Sequence, residues 1–284
     1  MSLIGTMGSG VSALRTFEKG LEVIGNNIAN VNTTGFKGSS VQYADSFSNI
    51  LQHSSSNGLG STNAIAVGTG VGVAGIATNF AQGQLSSTGN GTDLGISGNG
   101  FFTVKSPSDS TTYVTRAGNF SWNSSGYLTT LSGERVQGVT PAGTVGDIKL
   151  GTPPTGTELQ SVSIDKSGNV IEFYSDGSSA STNQILLQSF SNPAALVKEG
   201  NNLFSGMAAA GPTTGSIVLS ASGANAPGSN GLGSIQAGSL ELANVDLTEE
   251  FSNLITAQRS FQAGSRLITV SDTVLDDIVN LKQR

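Results

Sequence analysis

The sequence predicts a mainly β body carried between two terminal α-helices that pair as a coiled coil, with discontinuous domains built from both chain ends. Three observations predict it. Apolar residues near each terminus recur at spacings of three and four, glycine turns cut the middle of the chain into short segments, and no comparable helical pattern lies between the ends. Spacing of three and four marks a helical seam, whereas period-two alternation marks a half-buried strand.

The first element is a helix from about Leu3 to Val31. Leu14, Phe17, Leu21, Ile24, Ile28 and Val31 form its apolar stripe, and Gly5, Gly8, Gly10, Gly20 and Gly25 weaken it. Each interior glycine costs about 1 kcal/mol relative to alanine. The helix is therefore expected to be disordered in a free subunit and to form when packed. Asn32-Thr33-Thr34-Gly35 ends it, with side chains that compete for the backbone and a glycine suited to a left-handed cap. Residues 36–67 read as a linker carrying an apolar patch (Val41, Tyr43, Phe47, Ile50, Leu51) and the flexible tract His53–Gly58.

A β-rich outer domain is expected over 68–207. Gly98-Asn99-Gly100 predicts a hairpin between Leu94–Ile96 and Phe101–Val104, since Asn-Gly favours the tightest hairpin turns. Tyr113–Arg116, Phe120–Trp122, Tyr127–Thr129, Val162–Asp165, Val170–Tyr174 and Ile185–Phe190 are further strands, and 141–157 is a loop. Residues 208–239 read as a low-complexity bridge. The last helix starts at Asp246 or Thr248 as N-cap, with Glu249 and Glu250 well placed in its first turn. Its seam holds Leu247, Phe251, Leu254, Phe261, Ile268 and Leu275, interrupted by Gln258, Ser265 and Asp272, beside a second stripe of Leu267, Val270, Val274, Ile278 and Leu281. Residues 1–35 and 240–284 together form the terminal coiled-coil domain.

Composition narrows the function. A net charge of -6 with no basic run argues against nucleic acid, because phosphate binding needs a concentrated basic surface. Cys 0 removes disulfides, thiolate nucleophiles and cysteine metal sites. No stretch approaches the roughly 20 apolar residues needed to span a bilayer. The first residues lack a basic n-region, so the chain is expected to be cytosolic or to leave without a cleaved signal.

No catalytic, cofactor or metal site is expected. His53 is the only histidine and lies in a serine-rich linker. Asp165–Asn169 resembles a calcium loop with its glycine misplaced, so a hairpin turn is the better account. Gly68–Val73 reads as a glycine-rich strand, because no helix follows it to hold a phosphate. Asp93 and Asp109 have no carboxylate partner at a defensible spacing.

Twelve consecutive residues, Asn26-Asn27-Ile28-Ala29-Asn30-Val31-Asn32-Thr33-Thr34-Gly35-Phe36-Lys37, resemble the N-terminal signature of the bacterial flagellar rod and hook family. Gln82–Leu85, Ser87–Asn90, Ile96–Phe102, Tyr113–Phe120 and Gly200–Phe204 resemble its internal motifs. Ser239–Leu247 (with Asn244) and Leu254–Ala263, including Ala257, Gln258, Arg259 and Phe261, resemble its C-terminal segment.

The resemblance implies a subunit that polymerises with itself into a tube whose channel is lined by the terminal helices. It implies contacts with adjoining rod and hook–filament junction proteins and, during assembly, with the hook cap and the flagellar type III export apparatus. The expected place is the hook and basal body, outside the cell membrane after export. The start of the last helix, the Tyr43–Phe47 patch and the Asp272–Lys282 ending favour the hook, a universal joint passing torque from rod to filament. The alternative is the distal rod, favoured by the long 39–68 stretch and by the lack of an inserted outer β-domain. A surface adhesin fits the composition but not the terminal heptads, and an enzyme lacks a site.

Overall fold

The computed structural model describes residues 3–52, 55–57, 60–213, 219, 223 and 225–282. His53 lies outside the described residues, as do most residues of 214–224. The chain divides into two compact units, Met1–Ala29 with Ser39–Asn79 and Val245–Arg284, and Asn30–Gly38 with Phe80–Asn244. It passes from one to the other after residues 29, 38, 79 and 244.

The first unit holds the helices Leu3–Ala29 and Leu247–Lys282 and a long antiparallel ribbon. In the ribbon Ser39–Asp45 pairs with Val71–Thr78, Ser48–Gln52 with Ile65–Gly68, and Ser55–Asn57 with Gly60–Thr62. The stretch read as a linker thus runs as one outgoing and one returning β-strand series. Its apolar patch is the outgoing half, and the glycine-rich Gly68–Val73 is the bend of the returning half, with Gly70 at φ 141°. Phe17 packs edge-on against Tyr43, ring centroids 6.0 Å apart, and Thr16 Oγ1 donates to Val71 O (3.1 Å). The ribbon base is thereby fixed to the N-terminal helix.

The second unit is built on a twelve-stranded sheet. Its main path runs Leu159–Ile164, Asn169–Tyr174, Ser179–Ile185, Arg135–Val139, Phe101–Lys105, Thr112–Thr115, Leu203–Ser205, Val197–Gly200, all antiparallel. The turn at Asp165–Asn169 is a hairpin: Asp165 Oδ1 accepts from the amides of Ser167 (2.9 Å) and Asn169 (2.8 Å), with Gly168 at φ 79°. Residues 141–157, expected as loop, contain the short strand Val145–Asp147.

Phe101 and Phe102 point to opposite faces, as period-two geometry requires. Phe102 joins Leu94, Val104, Leu128, Val136, Ile148 and Ile185 in one core, stacking edge-on with Phe120 at 5.1 Å. Phe101 joins Val114, Phe190, Leu196, Phe204 and Met207 in a second.

The hairpin expected at Gly98-Asn99-Gly100 does not form. Leu94–Ser97 pairs with Ser234–Ala237, and Phe101–Lys105 pairs with Thr112–Thr115, so the glycines carry the chain between two sheets. A Cβ on Gly98 would sit 2.9 Å from Gly233 Cα, so close backbone approach, not hairpin twist, explains that glycine.

Candidate functional site

Two regions gather the residues singled out from the sequence. The first is the helix pair. The helices run antiparallel: Asn27 Nδ2 donates to Glu250 Oε1 (2.8 Å), while Leu14 lies over Gly264 and Ile268 over Gly10. A Cβ on Gly10 would come within 3.2 Å of Ile268 Cγ1, and one on Gly264 within 3.2 Å of Leu14 Cδ2. Glycine therefore serves as the contact surface here, a role beyond the helix weakening expected of Gly10. Asp246 is the N-cap, its Oδ1 accepting from the amides of Thr248 (2.8 Å) and Glu249 (3.3 Å).

Leu14, Leu21, Ile24, Ile28, Leu254, Ile268 and Leu275 are half-buried, and Ala257 and Asn27 are buried. Asn27 also closes the ribbon base, exchanging bonds with Ser39 N (3.0 Å) and Ser39 O (2.7 Å). Asn26, Leu247, Phe251, Gln258, Arg259 and Phe261 are exposed, so part of the predicted seam stands outside the pair. Between the helices and Ser39–Tyr43 lies a cleft of about 290 Å³, lined by Phe17, Ile24, Val41, Tyr43, Ala257 and others.

The second region is in the β body, where Asn30–Gly38 lies as a strap. Asn202 Nδ2 donates to Thr34 O (2.8 Å), Gly35 N to Glu241 O (2.7 Å), and Gly38 N to Asn244 Oδ1 (2.8 Å). Asn30 begins the strap, its carbonyl accepting from Thr33 N (3.0 Å). Gly35 has φ 68°, and a Cβ there would meet Ala117 N at 2.5 Å, so glycine is required twice over. Phe36 is buried under Lys198, whose Nζ stands 4.8 Å from the ring centroid and donates to Lys37 O (2.8 Å).

Lys37 leads to the heart of the body. Its Nζ donates to Glu241 Oε1 (2.6 Å) and Ala81 O (2.8 Å). Glu241 also accepts from Gly83 N (2.8 Å) and from Arg116 Nη1 (3.2 Å). Lys37 and Glu241 side chains are 0% exposed, and Arg116 is 4% exposed. Burial pushes the Lys37 ammonium and the Arg116 guanidinium below their ordinary values, against the pull of the Glu241 carboxylate. Replacing such a triad by apolar residues is often neutral, whereas removing one partner costs about 3–5 kcal/mol. The triad therefore specifies which segments meet more than it adds net stability.

Arg116 and Glu241 fall within the motifs Tyr113–Phe120 and Ser239–Leu247, but neither is expected as a site residue. Glu241 lies between Leu240 and Leu242 and Arg116 closes the strand Thr112–Thr115 in a chain with only 11% charged residues, which is the signal that could have found them. Among the described residues no group of three or more His, Cys, Asp or Glu side chains could hold a metal, and no helix is long and apolar enough to cross a membrane.

One unit holds an antiparallel pair of terminal helices with exposed apolar flanks, and the other a β body closed by a dry ionic triad. Three family profiles match the chain. Residues 7–37 match the profile "Flagella basal body rod protein", 95–172 match "Flagellar hook protein FlgE/F/G D1 domain", and 236–281 match "Flagellar basal body rod FlgEFG protein C-terminal". The chain is 38% identical over 277 residues to the flagellar basal-body rod protein FlgG of Bacillus subtilis, covering 97% of this chain and 98% of that one. It is 34% identical to FlgG of Caulobacter vibrioides, covering 96% and 100%. The flagellar hook protein FlgE of Borreliella burgdorferi is 43% identical over 133 residues, which are 46% of this chain and 30% of the hook protein. The chain belongs to the flagellar hook and basal-body rod family.

Proposed function

We propose that this chain is the distal-rod subunit of the bacterial flagellum, polymerising into a tubular drive shaft. The observation that carries the proposal is the end-to-end correspondence with rod proteins, against a partial correspondence with hook proteins. It favours the distal rod over the hook reading drawn from local motifs, of which those in the last helix fall in a profile that hook and rod proteins share.

The ribbon supports stiffness on physical grounds. Phe47 is 88% exposed and Leu51 66%, with Ile50 and Ile65 about half exposed. Burying such a side chain between subunits stabilises by about 1.5–3 kcal/mol. Sliding neighbours past one another would re-expose it, whereas polar, water-bridged contacts can be remade during sliding. A tube clamped by apolar ribbons resists bending.

In this reading the terminal helices line the channel, packing into coiled-coil layers with neighbouring copies. The exposed Leu247, Phe251 and Phe261 then become subunit contacts. The subunit reaches its place through the flagellar export apparatus and meets adjoining rod and hook proteins at the ends of its segment. Electron microscopy of basal bodies from cells lacking the gene tests the assignment. Rods truncated before their distal segment are expected, and complete rods that merely lack hooks would overturn it.

A further inference from the structure

The strap and its partners lie at opposite ends of the body's sequence. Four of the strap's hydrogen bonds reach residues 241 and 244: Gly35 N to Glu241 O, Lys37 Nζ to Glu241 Oε1, Gly38 N to Asn244 Oδ1, and Asn244 N to Phe36 O. The Lys37–Glu241 bond spans 204 residues. Those late residues also complete the β body, because Ser234–Ala237 pairs with Leu94–Ser97 and Ser239–Glu241 pairs with Leu85–Ser87.

We infer that Asn30–Gly38 is captured last, docking only after Ser234–Asn244 has closed the edge of the body, with Glu241 as the latch. The physical reason is the pair of cations. Lys37 and Arg116 both leave water in the closed body, and Glu241 is the only carboxylate that the structure places against either of them among the described residues. Without it the strap would have to bury an ammonium beside a guanidinium, which desolvation and like-charge repulsion both oppose. The other strap contacts, from Asn202 to Thr34 O, from Lys198 to Lys37 O and from Lys37 Nζ to Ala81 O, supply neutral hydrogen bonds but no counter-charge for Lys37.

A chain is synthesised from its N-terminus, so the strap emerges first and its latch almost last. The strap consequently stays undocked until Glu241, 204 residues after Lys37, has joined the body. The order holds for a rod or a hook subunit alike.

Hydrogen exchange on the full-length chain tests the latch. In Glu241→Gln the amides of the strap, reported by Gly35, and those of Leu85–Ser97 should exchange at least tenfold faster, with Leu159–Ile185 unchanged. The triple variant Lys37→Met/Arg116→Met/Glu241→Met should regain protection, since it removes the buried charges together. Pulse labelling during refolding tests the order: strap amides should become protected with or after Ser234–Glu241. The inference is overturned by unchanged strap protection in Glu241→Gln, by equal loss across Leu159–Ile185, by a triple variant as open as the single one, or by strap protection preceding that of Ser234–Glu241.

Discussion

The two units solve opposite problems with opposite materials. The β body hides charge: Lys37, Arg116 and Glu241 are dry, while Phe101, Phe102, Phe120, Phe190 and Phe204 are divided between two closed cores. The helix-and-ribbon unit displays apolar surface: Phe47, Leu51, Ile255, Leu267 and Val270 are all more than half exposed. Burying charge costs free energy that is recovered only in one arrangement, so it fixes which segments meet. Exposing large apolar side chains leaves stabilisation unclaimed until another surface covers them. The body buries its charges within one chain, whereas the other unit leaves apolar surface that the proposed polymer would cover.

The contrast breaks first at Glu241. Glu241→Ala should lower the stability of the isolated chain by about 3–5 kcal/mol, measured by denaturant unfolding followed at the body's only tryptophan, Trp122. A loss near 1 kcal/mol, the scale of an ordinary hydrogen bond, would show that the triad is not a dry ionic cluster.

The same triad gives a pH dependence with a defined sign. Burial holds Lys37 below its ordinary value of 10.5 in the folded chain, and Lys198 is depressed for the same reason. Between the depressed value and 10.5 the unfolded chain binds more protons than the folded one, so stability rises with pH through that window. Below about pH 10, where Tyr174, raised to about 12 by its bond to Glu172, does not yet oppose it, the unfolding midpoint should therefore increase with pH, and Lys37→Met should flatten the increase. A midpoint that falls identically in both chains would contradict it.

How far the sequence carries this picture differs between the units. The terminal helices, the Asp246 cap and the Asp165–Asn169 turn follow from local rules of spacing and capping, and all are present. The ribbon was half visible: the apolar residues of 41–51 were noticed, but their partners in 65–78 are weakly patterned and rich in glycine. Strand pairing depends on both sides, so one strong strand without a recognised partner reads as a linker. The members of the triad each fall in a motif, but their meeting is not legible in the sequence because they lie 204 and 125 residues apart. Lys37 was singled out through its place in a signature, yet nothing local says that it is buried. The failed hairpin at Asn99-Gly100 has the same origin, since the true partner of Leu94–Ser97 lies far along the chain at Ser234–Ala237.

A smaller effect separates the glycines that the helix pair uses from those it merely tolerates. Nothing lies within 4 Å of a Cβ built on Gly25, whereas Gly10 and Gly264 face side chains at 3.2 Å. Gly25→Ala should stabilise the N-terminal helix by about 1 kcal/mol, raising helical circular dichroism of the isolated chain. Gly264→Ala should gain less, because Leu14 must shift to admit the methyl group. Equal gains at both positions would mean that the antiparallel contact is not held in solution.

The smallest effect on the isolated chain is expected at the ribbon, and it probes the comparison most directly. Phe47 and Leu51 are exposed and belong to a two-stranded ribbon, so Phe47→Ser with Leu51→Ser should change monomer stability by no more than about 0.5 kcal/mol. Assembly should respond quite differently. If these side chains are covered by neighbouring copies, each loses its buried apolar contact at every subunit along the tube, and the deficits accumulate with polymer length. The double variant should fold normally, show an unchanged denaturation midpoint, and fail to form long straight rods in cells or by sedimentation. Rods of normal length and stiffness from the double variant would mean that the ribbon's apolar surface is idle, and the argument for a stiff shaft would then have to rest on the helices alone.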